Sequence, residues 1–281
     1  MLFYNVEKYT KDVYFGKLKR RVWSLLIPYI IWNAISLFEL SVKQLPMLSK
    51  IFPNAYKQHI DLAFIFECFW CQPGGSCPMY YPFWYIRNLM VMVLLSPIFY
   101  WMLKRVKGFW ILLLLGLVFA HVSMPIGFSF SSMFYFSLGL YWAMYWRDTI
   151  PNIRILGLFA ILWLPLAYMD TITRVQYWHT ASEICGIGAI LFIGILAVHK
   201  FQLRTSETLT QSVFFIYAIH ATLLGYIYKL TFLALHPSGE VVCLILNIVI
   251  AIITTLCSFG AYKLMDRYLP RVCRVLTGGR R

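Results

Sequence analysis

Eight apolar segments, each close to the length of a membrane span, run between Arg21 and Met265, and the positive charge of the loops joining them falls almost entirely on one side. They lie at about 22–42, 84–103, 109–123, 131–146, 155–169, 182–198, 213–235 and 241–262, against the roughly 17–25 apolar residues that a helix needs to cross a bilayer. The shorter ones are expected to tilt little or to be shielded by neighbours. In lipid only helices and closed barrels satisfy their own backbone groups, and no barrel-like alternation is present. The expected fold is therefore all-α: one polytopic transmembrane helical bundle of about eight spans, covering residues 1–281 as a single integral membrane domain.

The charge fits that reading. Only 13% of residues are charged, about half of what a soluble domain carries. The formal net charge of +14 raises the question of a nucleic-acid partner, but its distribution argues against one. With the N-terminus in the cytoplasm, the cytoplasmic segments hold 19 of the 25 Lys and Arg and the outer loops hold 4. That bias is what insertion topology selects. Both termini are therefore expected to be cytoplasmic, with the 43–83 loop on the outer side. Met1 to Arg21 is polar and basic, so no signal peptide is expected there.

The 43–83 loop is the longest connection. It carries an apolar, aromatic stretch from Ile60 to Trp70 and then the turn signal Gln72-Pro73-Gly74-Gly75. Apolar stretches of about 10–14 residues are more often interfacial or re-entrant than spanning. The loop reads as a partly buried lid or as a plain interfacial helix. Cys68, Cys71 and Cys77 share it, in a spacing open to a disulfide or a metal site.

Ionisable residues inside spans default to a functional hypothesis. Here they are Glu39, Arg87, His220 and Lys229, with His121 and Glu183 at outer edges. Each has a plainer reading. Lys229 can snorkel, Arg87 can anchor beside Trp84 and Tyr85, and Glu39 can pair with either cation. Tyr217 and His220 lie three apart and share a helix face. Asn33 and Asn247 are mid-span amides of the kind that glue helices. Lys17, Lys19, Arg20 and Arg21 precede the first span; they serve topology, or clamp phosphate. No Ser/His/Asp order, glycine-rich phosphate loop or HExxH pattern is present.

Three stretches together resemble the membrane acyltransferase 3 family: Lys19-Arg20-Arg21 through Pro28-Tyr29 to Trp32-Asn33, Pro82-Phe83-Trp84-Tyr85-Ile86-Arg87-Asn88 running to Ser96-Pro97, and Phe214-Phe215-Ile216-Tyr217-Ala218-Ile219-His220. Phe134 to Gly139 adds a weaker fourth. The resemblance covers essentially the whole chain. It implies a bacterial inner-membrane protein that moves an acyl group, often acetyl, from acyl-CoA to a hydroxyl of a cell-surface glycan or glycolipid. It implies no bound cofactor, with acetyl-CoA as a donor substrate. Lys19, Arg20 and Arg21 are then expected to bind the donor, Arg87 and Trp84 to shape the pocket, and Tyr217 and His220 to line it. Arg21 matches the first Arg of the family's Arg-x-x-Arg motif, and Ser24 stands where the second belongs.

The first span here resembles the family's third. The resemblance therefore implies that the family's first two spans, with its catalytic histidine, have no counterpart in residues 1–281. None of the histidines at 59, 121, 179, 199, 220 and 236 matches that residue, and His220 is a weak substitute because no carboxylate lies at helical spacing to orient its ring. A fragment, a misassigned start and a degenerate member remain open. So do a glycolipid transporter or flippase and a catalytically dead scaffold, although no internal symmetry favours a transporter.

Overall fold

The computed structural model describes residues 10–47, 59–71, 75, 77–146, 149 and 151–279, and among these every regular element is helical. Each of the eight expected segments is a helix. Helix α1 (Lys11–Arg21) passes through a π turn (Val22–Leu26) into α2 (Ile27–Lys43). A short helix α3 (Leu62–Trp70) and a 3-10 turn (Tyr81–Phe83) precede α4 (Trp84–Val106). Then come α5 (Gly108–Phe119), α6 (Phe130–Tyr145), α7 (Ile153–Thr173), α8 (Gln176–His199), α9 (Glu207–Leu235), α10 (Glu240–Tyr268) and α11 (Pro270–Leu276).

Six of these stretches are long and apolar enough to cross a membrane: Lys11–Lys43, Tyr81–Val106, α7, α8, α9 and α10. The other two expected spans are shorter. Helix α5 has 12 residues and α6 has 16, which at 1.5 Å per residue reach about 18 and 24 Å of a hydrocarbon core of roughly 30 Å.

Prolines explain the local departures from regular helix. Pro28 has no N–H to offer the carbonyl four residues back, Ser24, and the preceding turn widens into the π form. Pro97 likewise leaves the Val93 carbonyl without a helical donor, and Ser96 Oγ donates to it at 2.7 Å. Side-chain caps start several helices: Ser129 accepts from the Ser132 N–H, Asn152 from Arg154, and Ser206 from Leu209.

The chain divides into two compact units. Among the described residues, one comprises those up to 14 and from 91 to 205, the other those from 15 to 90 and from 206 onward, with the chain crossing between them within α1, within α4 and just before α9. In the first unit α7 packs along α8 and α5 along α6. Gly188 admits the Phe159 ring where a Cβ would collide with it, the small-residue contact that lets membrane helices approach closely. Trp110 Nε1 reaches Ser137 Oγ at 3.2 Å between α5 and α6. In the second unit α9 packs along α10, and α11 folds back on α2. Its core is aromatic. Trp32 stacks on Tyr80 at 5.7 Å, and Phe83 stacks on Tyr217 at 5.8 Å with rings nearly parallel.

Candidate functional site

The site lies wholly in the second unit and is built on α3. Asp61 caps this helix, its Oδ1 accepting from the Phe64 N–H at 2.7 Å. The helix buries Phe64 and Cys68 against Leu40 of α2. Burial pushes the Cys68 thiol up to about 11, with Glu67 adding to the effect. Cys68 is a free thiol, and Cys71 Sγ donates to the Gly75 carbonyl at 2.6 Å. Gln72, Pro73 and Gly74 of the turn signal lie outside the described residues.

The C-terminal carbonyls of α3 are all engaged, which a helix end inside a protein requires. The Glu67 carbonyl accepts from the Cys71 N–H at 2.7 Å and that of Cys68 from the Met79 N–H at 2.7 Å. The Phe69 carbonyl accepts the Tyr29 hydroxyl of α2. The Trp70 carbonyl accepts Nη1 of Arg87 at 2.5 Å. Arg87 is 4% exposed, and its guanidinium also lies 5.5 Å from the Trp70 ring centroid and 3.2 Å (Nη2) from Asn88 Oδ1. A helix C-terminus carries about half a negative charge. The buried cation of α4 is thus set against the negative end of α3 as well as against its last carbonyl.

The segment after α3 is fixed by Asn33, which is 1% exposed. Its Nδ2 donates to the Tyr29 carbonyl at 2.8 Å, and its Oδ1 accepts the Tyr80 N–H at 2.9 Å. The Tyr80 hydroxyl donates to the Ala218 carbonyl of α9 and lies 3.2 Å from Thr222 Oγ1. Burial holds the Tyr80 phenol above its ordinary pKa, so it stays protonated as a donor.

These ties shape a cavity of about 320 Å³. Ser36, Glu39, Leu40 and Lys43 of α2 form one wall, Met79 to Pro82 another, and Ala221, Thr222, Gly225, Tyr226 and Lys229 of α9 the third. Glu39 is its electrostatic centre. Its Oε1 accepts both Lys43 Nζ and the Tyr226 hydroxyl, each at 2.6 Å.

The residues singled out from the sequence are dispersed. Glu39 and Lys229 line the cavity. Tyr217 and His220 meet each other: the rings lie 6.0 Å apart and His220 Nδ1 contacts the Tyr217 carbonyl at 2.7 Å. The Tyr217 hydroxyl donates to the Pro82 carbonyl, and its ring meets Tyr85 edge-on at 6.4 Å. Trp84 meets Tyr85 from the other side at 6.3 Å. Neither Arg87, Trp84, Tyr217 nor His220 is among the cavity's walls. Lys19, Arg20 and Arg21 end α1, where Lys19 and Arg20 are exposed and Arg21 is half-buried. Three residues on, the Ser24 backbone is covered by Gly278: a Cβ at Gly278 would lie 2.6 Å from the Ser24 carbonyl oxygen. Sequence reasoning missed Tyr29, Tyr80 and Tyr226, whose partners lie 40, 138 and 187 residues away.

Among the described residues, long apolar helices flanking an open, partly charged cavity define a multi-pass integral membrane protein. The family of the acyltransferase domain matches residues 1–262, and the chain belongs to it, the membrane acyltransferase 3 family. No curated protein and no solved structure matches the chain.

Proposed function

We propose that the protein serves O-acylation at the bacterial inner membrane, with acyl-CoA, acetyl-CoA in the simplest case, as donor and a hydroxyl of a cell-surface glycan or glycolipid as acceptor. The family match over residues 1–262 is the observation that carries this reading. The one-sided loop charge supports cytoplasmic N and C termini. In that orientation Lys19, Arg20 and Arg21 face the compartment that holds acyl-CoA. Guanidinium groups there bind the donor's phosphates through paired N–H donors. Arg274 of α11 sits one turn before the Gly278–Ser24 contact and adds positive charge to the same end. Trp84, Arg87, Tyr217 and His220 act as the pocket's support.

Acyl transfer to a hydroxyl needs a group that takes the acceptor's proton while the thioester carbonyl is polarised. None of the six histidines matches the family's catalytic one. His220 has one ring nitrogen turned to the Tyr217 carbonyl, 2.7 Å away. A carbonyl orients an imidazole but does not stabilise its cation as a carboxylate does. We therefore assign no base within residues 1–281 and expect this polypeptide by itself to bind acyl-CoA but to transfer it slowly, short by the roughly 10²–10⁴-fold that a general base supplies. The test is radiolabelled acetyl transfer to lipid-linked and soluble glycans by purified 1–281. Ready transfer that disappears in His220→Ala would make His220 the base and overturn the assignment.

A further inference from the structure

We propose that the cavity between α2, residues 79–82 and α9 binds the acceptor, and that the acceptor presents a polyol or sugar unit carrying a phosphate ester. This rests on the acyltransferase reading and gives its acceptor a place and a chemistry. The argument is one of charge and hydrogen-bond chemistry. Oε1 of Glu39 is already shared by Lys43 and Tyr226, and among the described residues no hydrogen bond engages Oε2 of this one-third-exposed side chain. A carboxylate oxygen only accepts, so an occupant that displaces water there donates to it. Lys229, exposed on the opposite wall, has no ion pair or hydrogen bond among the described residues. An ammonium only donates, so an occupant that displaces water there accepts from it, best as an anion. One ligand that meets both demands is a hydroxylated phosphate ester.

The walls agree with this. Tyr81 and Tyr226 add aromatic side chains to the lining, and Ser36 and Thr222 add hydroxyl-bearing ones. A cationic occupant is disfavoured, because two lysines face one glutamate. The cavity volume of about 320 Å³ lies at the small end of ligand sites, fitting one sugar or polyol unit rather than an oligosaccharide. Lys43 lies in the last turn of α2, and Lys229 less than two turns from the end of α9. Charged ends of membrane helices lie at headgroup depth. The phosphate ester therefore has two possible sources, a lipid headgroup or a free sugar phosphate.

The test uses the purified full chain and saturation-transfer NMR with glucose 1-phosphate, methyl glucoside and inorganic phosphate as probes. We expect glucose 1-phosphate to bind at least about tenfold more tightly than either of the others, the worth of one charged contact. Lys229→Met should weaken glucose 1-phosphate by about fivefold or more and leave methyl glucoside unchanged. Glu39→Gln should weaken both, and Tyr226→Phe, a milder change on the exposed side of the same cluster, should follow it if Glu39→Gln does not fold. The chain in phosphatidylcholine nanodiscs with and without phosphatidylinositol separates the sources: displacement of glucose 1-phosphate by phosphatidylinositol assigns a lipid headgroup, and its absence a free sugar phosphate. Binding of neither glucose 1-phosphate nor phosphatidylinositol overturns the proposal. So does inorganic phosphate binding as well as glucose 1-phosphate, or wild-type affinity in both Lys229→Met and the Glu39 cluster variant. Sugar-phosphate binding without acyl-CoA binding would sink the acyltransferase reading alone; acyl-CoA binding without sugar-phosphate binding would sink this subsite alone.

Discussion

Arg87→Met should release α3 from the bundle without unfolding the spans. The substitution keeps an unbranched apolar side chain but removes the guanidinium that donates to the Trp70 carbonyl at 2.5 Å and neutralises the end of α3. A hydrogen bond from a charged donor is worth about 1.5–3 kcal/mol, and a cation at a partly buried helix C-terminus up to about 2 kcal/mol. The two overlap, so the expected loss is roughly 2–4 kcal/mol in the docking of α3. At 1.4 kcal/mol per factor of ten, α3 opens about 30–700 times more often. Cys68 reports the opening. It is 0% exposed, and burial holds its thiol near 11, so at pH 8 it reacts only when α3 lifts. Maleimide labelling of Cys68, in a chain carrying Cys71→Ser and Cys77→Ser and read on the Cys68 peptide so that exposed Cys257 and half-buried Cys243 do not contribute, should accelerate by that factor in Arg87→Met. Arg87→Lys should fall between the two, since it restores charge without the fork. An unchanged labelling rate in Arg87→Met would refute the claim that Arg87 holds the end of α3.

Asn33→Leu should cost about 2–3 kcal/mol, since it leaves the buried Tyr80 N–H without its acceptor; a thermal-unfolding midpoint lowered in detergent checks it. Gly278→Ala should expose the C-terminal segment, because φ is +68° and a Cβ meets the Ser24 backbone. The cost is about 1–3 kcal/mol of backbone strain plus the collision, read as faster proteolysis after Tyr268. Raising the pH should loosen α3 through Cys68. Its raised folded pKa means that the contribution is fully present below the ordinary thiol value of 9.0 and is lost as pH rises through about 11. Amide exchange in α3 should therefore quicken over that window, and less so in Cys68→Ala.

The eight apolar helices were legible because apolar runs in a polytopic chain have few alternatives, whereas α1 and α11, which lie in the basic flanks, were not. Even the short helix α3 was visible, as the Ile60–Trp70 stretch now seen to begin on the Asp61 cap. The π turn was less so: Pro28 announces a disturbance, but not whether the helix kinks, ends or widens. The site was legible only in its parts. Glu39 and Lys229 stood out as charges in apolar runs, and both line the cavity. Tyr226 did not, since a tyrosine near a helix end is ordinary until Glu39 is found 2.6 Å away. Arg87 was visible as a buried charge, but its partner is a backbone carbonyl and a helix end, which no residue pattern encodes. His220 drew notice for its depth, and its ring nitrogen turns one turn back to the Tyr217 carbonyl rather than into the cavity.

Binding of acyl-CoA to the purified chain tests the central claim most directly. The account predicts saturable binding of acetyl-CoA to residues 1–281 in detergent, measured by equilibrium dialysis. It also predicts that Arg21→Ala weakens this binding by about ten- to a hundredfold, the worth of a charged phosphate contact at roughly 1.5–3 kcal/mol. No saturable binding, or an affinity unchanged in Arg21→Ala and in the triple Lys19→Ala, Arg20→Ala, Arg21→Ala chain, would contradict it.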